Sequence, residues 1–92
     1  MSQESADARA LHVLAWLAGQ SDLLPVFMGA SGISEADLRL RAGDPDFLAS
    51  VVDFVLMDDA WVMAWAQDCQ QPPEALQRLR ADLPGGDLPN WT

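Results

Sequence analysis

Lysine is missing from this chain, and histidine and cysteine occur once each, as His12 and Cys69. A single cysteine excludes an internal disulfide and fits a reducing compartment. One His and one Cys also fall short of the ligand set of a structural zinc site. Five arginines against fourteen acids leave a net charge of −9. Arg39 with Arg41 and Arg78 with Arg80 form two isolated pairs, not the clustered basic patch that neutralises phosphates, so no nucleic-acid partner is expected. Long apolar runs are also lacking: Asp53 interrupts the longest, well short of the ~20 residues of a membrane span. The opening MSQESADARA has neither the basic segment nor the apolar run of a secretion signal, so the expected location is cytoplasmic. GxGxxG, GxxxxGK[ST] and GxSxG are all missing, so no nucleotide or hydrolase signature points to a cofactor or an active site.

What the chain has in quantity is apolar residues, 50% of its 92 positions, which argues against disorder despite the charge. They are densest in DPDFLASVVDFVLM, residues 44–57. At roughly 100° per residue, Phe47, Leu48, Ala49, Val51, Val52, Phe54, Val55 and Leu56 cover more than half the circumference. Asp46, Ser50, Asp53 and Met57 share the remaining strip. A stripe this wide predicts a helix contacted from several sides. Asp44 can cap it, and Pro45 fits its first position. The fold expected is all-α: a compact single-domain bundle of five to six short helices around a central helix at about 45–57. Residues 1–4 are expected as a flexible N-terminus, 5–83 as the domain and 84–92 as an irregular tail.

The flanking helices follow from their stops and caps. Residues 5–19 form a first helix with Ala6, Ala10, Leu11, Val13, Leu14, Leu17 and Ala18 on one side and Arg9, His12 and Trp16 opposite. Ser21 or Asp22 is expected to cap a second helix reaching about Ala30 and offering Leu23, Leu24, Val26, Phe27 and Met28 to the core. Gly32 ends it in a left-handed conformation. Ser34 to Asp37 reads as a capping box, with Ile33 and Leu38 spaced as a hydrophobic staple for a short helix to about Ala42. Asp58-Asp59 can begin a fifth helix carrying Trp61, Val62, Trp65, Ala66 and Cys69, although a continuous helix through Asp58 is the alternative. Pro72-Pro73 forces a break, and a sixth helix runs from about Pro73 to Asp82 with Leu76, Leu79 and Leu83 inward.

The segments LAWLAGQSDLL, the Gly32-Ile33 turn leading into ADLR, DPDFLASVVDFVLMDD and PPEALQRLR occur in this order, and together they resemble a family of small bacterial helical proteins known only as a domain of unknown function. The resemblance covers roughly residues 6–83. It departs at Gln70-Gln71-Pro72, where the family's turn usually carries a glycine. It implies a compact all-helical fold and no known catalytic residues.

Eight of the fourteen acids, namely Asp22, Glu35, Asp37, Asp44, Asp46, Asp58, Asp59 and Glu74, fall at expected helix starts, where carboxylates cap amides and oppose the positive dipole end. Capping therefore explains Asp58 and Asp59 better than a cation site with Asp53, which lacks the spacing and turn glycine of a calcium loop. A Cys69–His12 nucleophile pair requires contact in the fold, and an inert thiol on an apolar face is the commoner state. Helices 35–42 and 45–57 could form a helix-turn-helix, but the second exposes only Asp46, Ser50 and Asp53, and its two carboxylates would repel phosphate.

The four tryptophans are the main functional hint. Trp65 lies centrally on its helix's apolar face and Trp61 at the edge. Trp16 sits with His12 and Arg9, and Trp91 lies in the tail. Trp anchors interfaces, so Trp16, His12, Arg9, Trp61 and Trp91 are the candidate interaction residues, with core packing favoured for Trp61 and Trp65 and the competing role for Trp16. The expected function is a non-catalytic protein-interaction or regulatory module, engaging another protein or a second copy, with no cofactor or metal. The alternative is a small-molecule binder or minor enzyme with a pocket between helices.

Overall fold

The apolar arc of residues 47–56 becomes the axis of the molecule. In the computed structural model, which describes residues 5–84, Val51, Val52 and Val55 are fully enclosed and Phe47, Leu48, Ala49 and Phe54 nearly so. Asp46, Ser50, Asp53 and Met57 line the outer strip, as the periodicity predicts. Expectations for residues 1–4, for Trp91 and for the tail after Pro84 lie outside the described residues.

Six helices are present among the described residues and no strand: α1 Ala6–Ala18, α2 Leu24–Ser31, α3 Glu35–Arg41, α4 Pro45–Leu56, α5 Asp59–Cys69 and α6 Glu74–Ala81. The central α4 packs against α1, α5 and α6. Its burial on so many sides is what the broad stripe demanded.

Carboxylates and hydroxyls set the starts. Ser5 accepts from Ala8 N, Asp44 from Asp46 N at 3.0 Å and Asp58 from Ala60 N at 2.8 Å. At α3 the box is reciprocal: Asp37 N–H donates to Ser34 Oγ and Ser34 N–H to Asp37 Oδ2. Ile33 and Leu38 both reach the core beside it. Asp58 also settles the α4–α5 boundary. Its extended backbone (φ −137°, ψ 121°) interrupts the helix, and its side chain restarts it.

Three local expectations need correction. Neither Ser21 nor Asp22 caps α2; a turn held by Leu23 and Leu24 N–H donating to Gln20 O leads into it, and Leu23 offers no side-chain cap. Of the second helix's expected core residues Phe27 is buried and Leu23 and Leu24 pack against the core, while Val26 turns outward at 48% exposure. On α1, Leu11 and Ala18 point outward, because the helix is covered from two sides and not along its aliphatic face alone.

Aromatic rings join α2, α4 and α5. Phe27 meets Phe54 edge to face at 5.1 Å and Phe47 at 6.2 Å, and Trp61 stacks on Phe54 at 4.7 Å. Such offset and T-shaped pairs suit the ring quadrupole. Gly32 ends α2 at φ 74°, as predicted from the sequence.

Candidate functional site

Arg9, His12 and Trp16 recur every three to four residues along α1, so they share a side. That side faces α5 and α6. Trp16 Nε1–H donates to Asp68 Oδ2 of α5 at 2.9 Å, and its half-buried ring packs on the core. Arg9 Nη2 pairs with Asp82 Oδ2 at the end of α6, at 2.8 Å. These two bonds clasp α1 to the last two helices. Trp61 is likewise engaged internally, half-buried against Phe54.

Between the clasping bonds lies a cleft of about 230 Å³, lined by Arg9, His12, Trp65, Cys69, Gln71, Ala75 and Leu79. The fold thus gathers the lone histidine and the lone cysteine around one cavity. The thiol there is poorly suited to nucleophilic work. Burial, and secondarily the neighbouring Asp68 carboxylate, push the Cys69 pKa above its ordinary value, which keeps sulfur protonated. Every fully buried side chain among the described residues is apolar, and the one enclosed polar side-chain atom without a hydrogen-bond partner among them is Nε of Arg9, in the wall of this cavity. No group of three or more His, Cys, Asp or Glu among the described residues could hold a metal ion. No helix among them is long and apolar enough to cross a membrane.

A second, larger concavity lies between α5 and α6. This groove of about 400 Å³ has Leu56, Val62, Met63 and Pro73 as its apolar wall, and Asp59, Glu74 and Gln77 as its polar lining. Met63 is 56% exposed, and Met57, on the outer strip of α4, is 76% exposed. A third apolar cleft, of about 240 Å³, lies between α1, α2 and α3, with Leu14, Leu24, Leu38 and Ala42 in its wall.

The most exposed large apolar residue described is Leu40 on α3, at 82%. Arg39 and Arg41 stand on either side of it, about 100° away around the helix. Neither arginine forms an ion pair among the described residues, whereas Arg9 and Arg80 do. Leu40, Met57 and Met63 are not among the interaction residues that the sequence singles out, because tryptophan carries the stronger interface signal. The signal was nonetheless legible: each is a large apolar side chain placed on the polar side of an amphipathic helix.

Comparison with curated proteins and with solved structures finds no match for the chain. A family model does match, over residues 3–86, and the chain belongs to that family, described as a protein of unknown function (DUF3572).

Proposed function

We propose that this protein is a non-catalytic protein-interaction module, acting in the cytoplasm and without a nucleic-acid partner, whose docking surface is the α5–α6 groove together with Met57 and Met63. The observation that carries this reading is an open groove whose apolar wall includes the strongly exposed Met63 and whose polar lining is acidic. Methionine adapts to varied partner surfaces, and carboxylates beside an apolar site select partners by charge. The Cys69 thiol, its pKa raised by burial and by the Asp68 carboxylate, is a poorer nucleophile than a free thiol, which favours the non-catalytic reading.

The test is affinity capture from a lysate of the source organism, with wild type and Met63→Asp compared at two salt concentrations. A protein retained by wild type and lost with the variant supports the module. Equal recovery on both contradicts it. A second reading rests on the α1–α5–α6 cleft, where Arg9, His12 and Gln71 surround an apolar floor suited to a small molecule. Native mass spectrometry of the purified protein decides that one: a bound metabolite lost on Ala75→Trp supports a binder.

A further inference from the structure

The exposed Arg39-Leu40-Arg41 segment of α3 and the α5–α6 groove are complementary in both polarity and charge. The segment offers one apolar side chain between two cations that have no ion-pair partner among the described residues. The groove offers Leu56, Val62, Met63 and Pro73 beside Asp59 and Glu74, with no basic residue in its lining. We propose that the protein self-associates, Leu40 of one copy entering the α5–α6 groove of a second while Arg39 and Arg41 face Asp59 and Glu74. This deepens the interaction-module reading and rests on it.

The pairing explains features that folding alone leaves unused. An isolated leucine on a helix surface needs no explanation. One that is 82% exposed, with an arginine on each side that forms no ion pair among the described residues, is less ordinary. Among the described residues Arg39, Arg41 and Arg78 form no ion pair, although Glu35 and Asp37 lie one helical turn before the first two, whereas Arg80 is held by Asp53 at 2.6 Å. Two molecules of charge −9 repel at long range, so a contact between copies needs local attraction of this kind to form. The contact joins two different patches, so it is heterologous and each copy carries one of each.

A charge-swap experiment tests this directly. One variant carries Arg39→Glu with Arg41→Glu; the other carries Asp59→Arg with Glu74→Arg. The first is more acidic than wild type by four charges and the second less acidic by four. Sedimentation is followed from roughly 10 μM to 1 mM, the range of weak protein contacts. Wild type should show a mass that rises with concentration. Each variant alone should associate at least tenfold more weakly, including the second, whose lower net charge would otherwise favour association. Mixed in equal amounts, the two should recover association, because the reversed segment of one fits the reversed groove of the other. Leu40→Ser, which leaves the charge unchanged, should also weaken it. Far-UV circular dichroism confirms that every variant is folded.

Wild type that stays monomeric throughout overturns the proposal, as does a mixture of folded variants that fails to recover. So does a second variant that associates better than wild type, since net charge then governs. If wild type is monomeric but Met63→Asp still loses a captured partner, self-pairing falls while the interaction module stands. If wild type self-associates through these residues and captures nothing else, the module's partner is its own second copy.

Discussion

Trp16 and Asp68 lie 52 residues apart in sequence, yet the indole N–H of one donates to a carboxylate oxygen of the other at 2.9 Å. The bond fixes one end of α1 against α5, while Arg9 and Asp82 fix the other end against α6. On the side of α1 that the sequence offers as an outward surface, Arg9 and Trp16 are therefore half-buried in contacts to α6 and α5, while His12 stays exposed.

Trp16→Ser should accordingly lower stability by about 2 to 4 kcal/mol, below the cost of truncating a fully enclosed tryptophan because the ring is half-buried. A double-mutant cycle of Trp16→Phe with Asp68→Ala, read by urea unfolding, should return a coupling of roughly 0.5 to 1.5 kcal/mol. Strict additivity would show that the bond contributes nothing in solution.

Asp44→Ala and Asp58→Ala each remove a side chain that accepts from a free helix amide. Each should cost about 0.5 to 2 kcal/mol. Asp53→Asn, which disturbs only a half-exposed pair with Arg80, should cost less than about 1 kcal/mol. Thermal or urea unfolding that ranks Asp53→Asn above both caps would contradict the helix register described here.

How much of this was readable beforehand can be traced to particular residues. Asp44, Pro45 and Ser34 mark helix starts through local chemistry, and the α4 stripe states its own burial, so the all-helical fold and its central element follow from short-range rules. The destination of Trp16 does not. Whether an aromatic across from the aliphatic face meets solvent or another helix depends on Asp68, which no spacing rule connects to it. The turn before α2 was missed for a similar reason: Ser21 and Asp22 have the chemistry of caps, but backbone bonds to Gln20 O occupy that position instead.

Gln70 ends α5 in the left-handed region, at φ 55° and ψ 47°, and Gln71 N–H donates back to Ala66 O at 2.9 Å. This closure favours glycine, because a Cβ is disfavoured there. Gln70→Gly should therefore stabilise the protein by about 0.5 to 1 kcal/mol. A melting temperature lowered by the substitution would contradict the assigned conformation.

Cys69 should alkylate slowly at pH 8, and its rate should rise with a midpoint above the ~8.5 of a free thiol. The folded-state pKa is raised, so folding binds the thiol proton more tightly. Its stabilising contribution is complete below the unfolded pKa and is lost as pH climbs through the folded one. Denaturation in urea should restore the ordinary midpoint. A midpoint at or below that of a free thiol in the folded protein would point to an activated cysteine and revive the case for catalysis.

The central claim is that the outward surface lies at the α5–α6 groove and not on the Trp16 side of α1. Parallel measurement of unfolding free energy and of association for Trp16→Ser and Met63→Asp tests it most directly. The account predicts that Trp16→Ser loses stability while the molecules that remain folded associate as wild type does, and that Met63→Asp keeps its stability and loses association. Unchanged stability with lost association for Trp16→Ser, together with normal association for Met63→Asp, would contradict it.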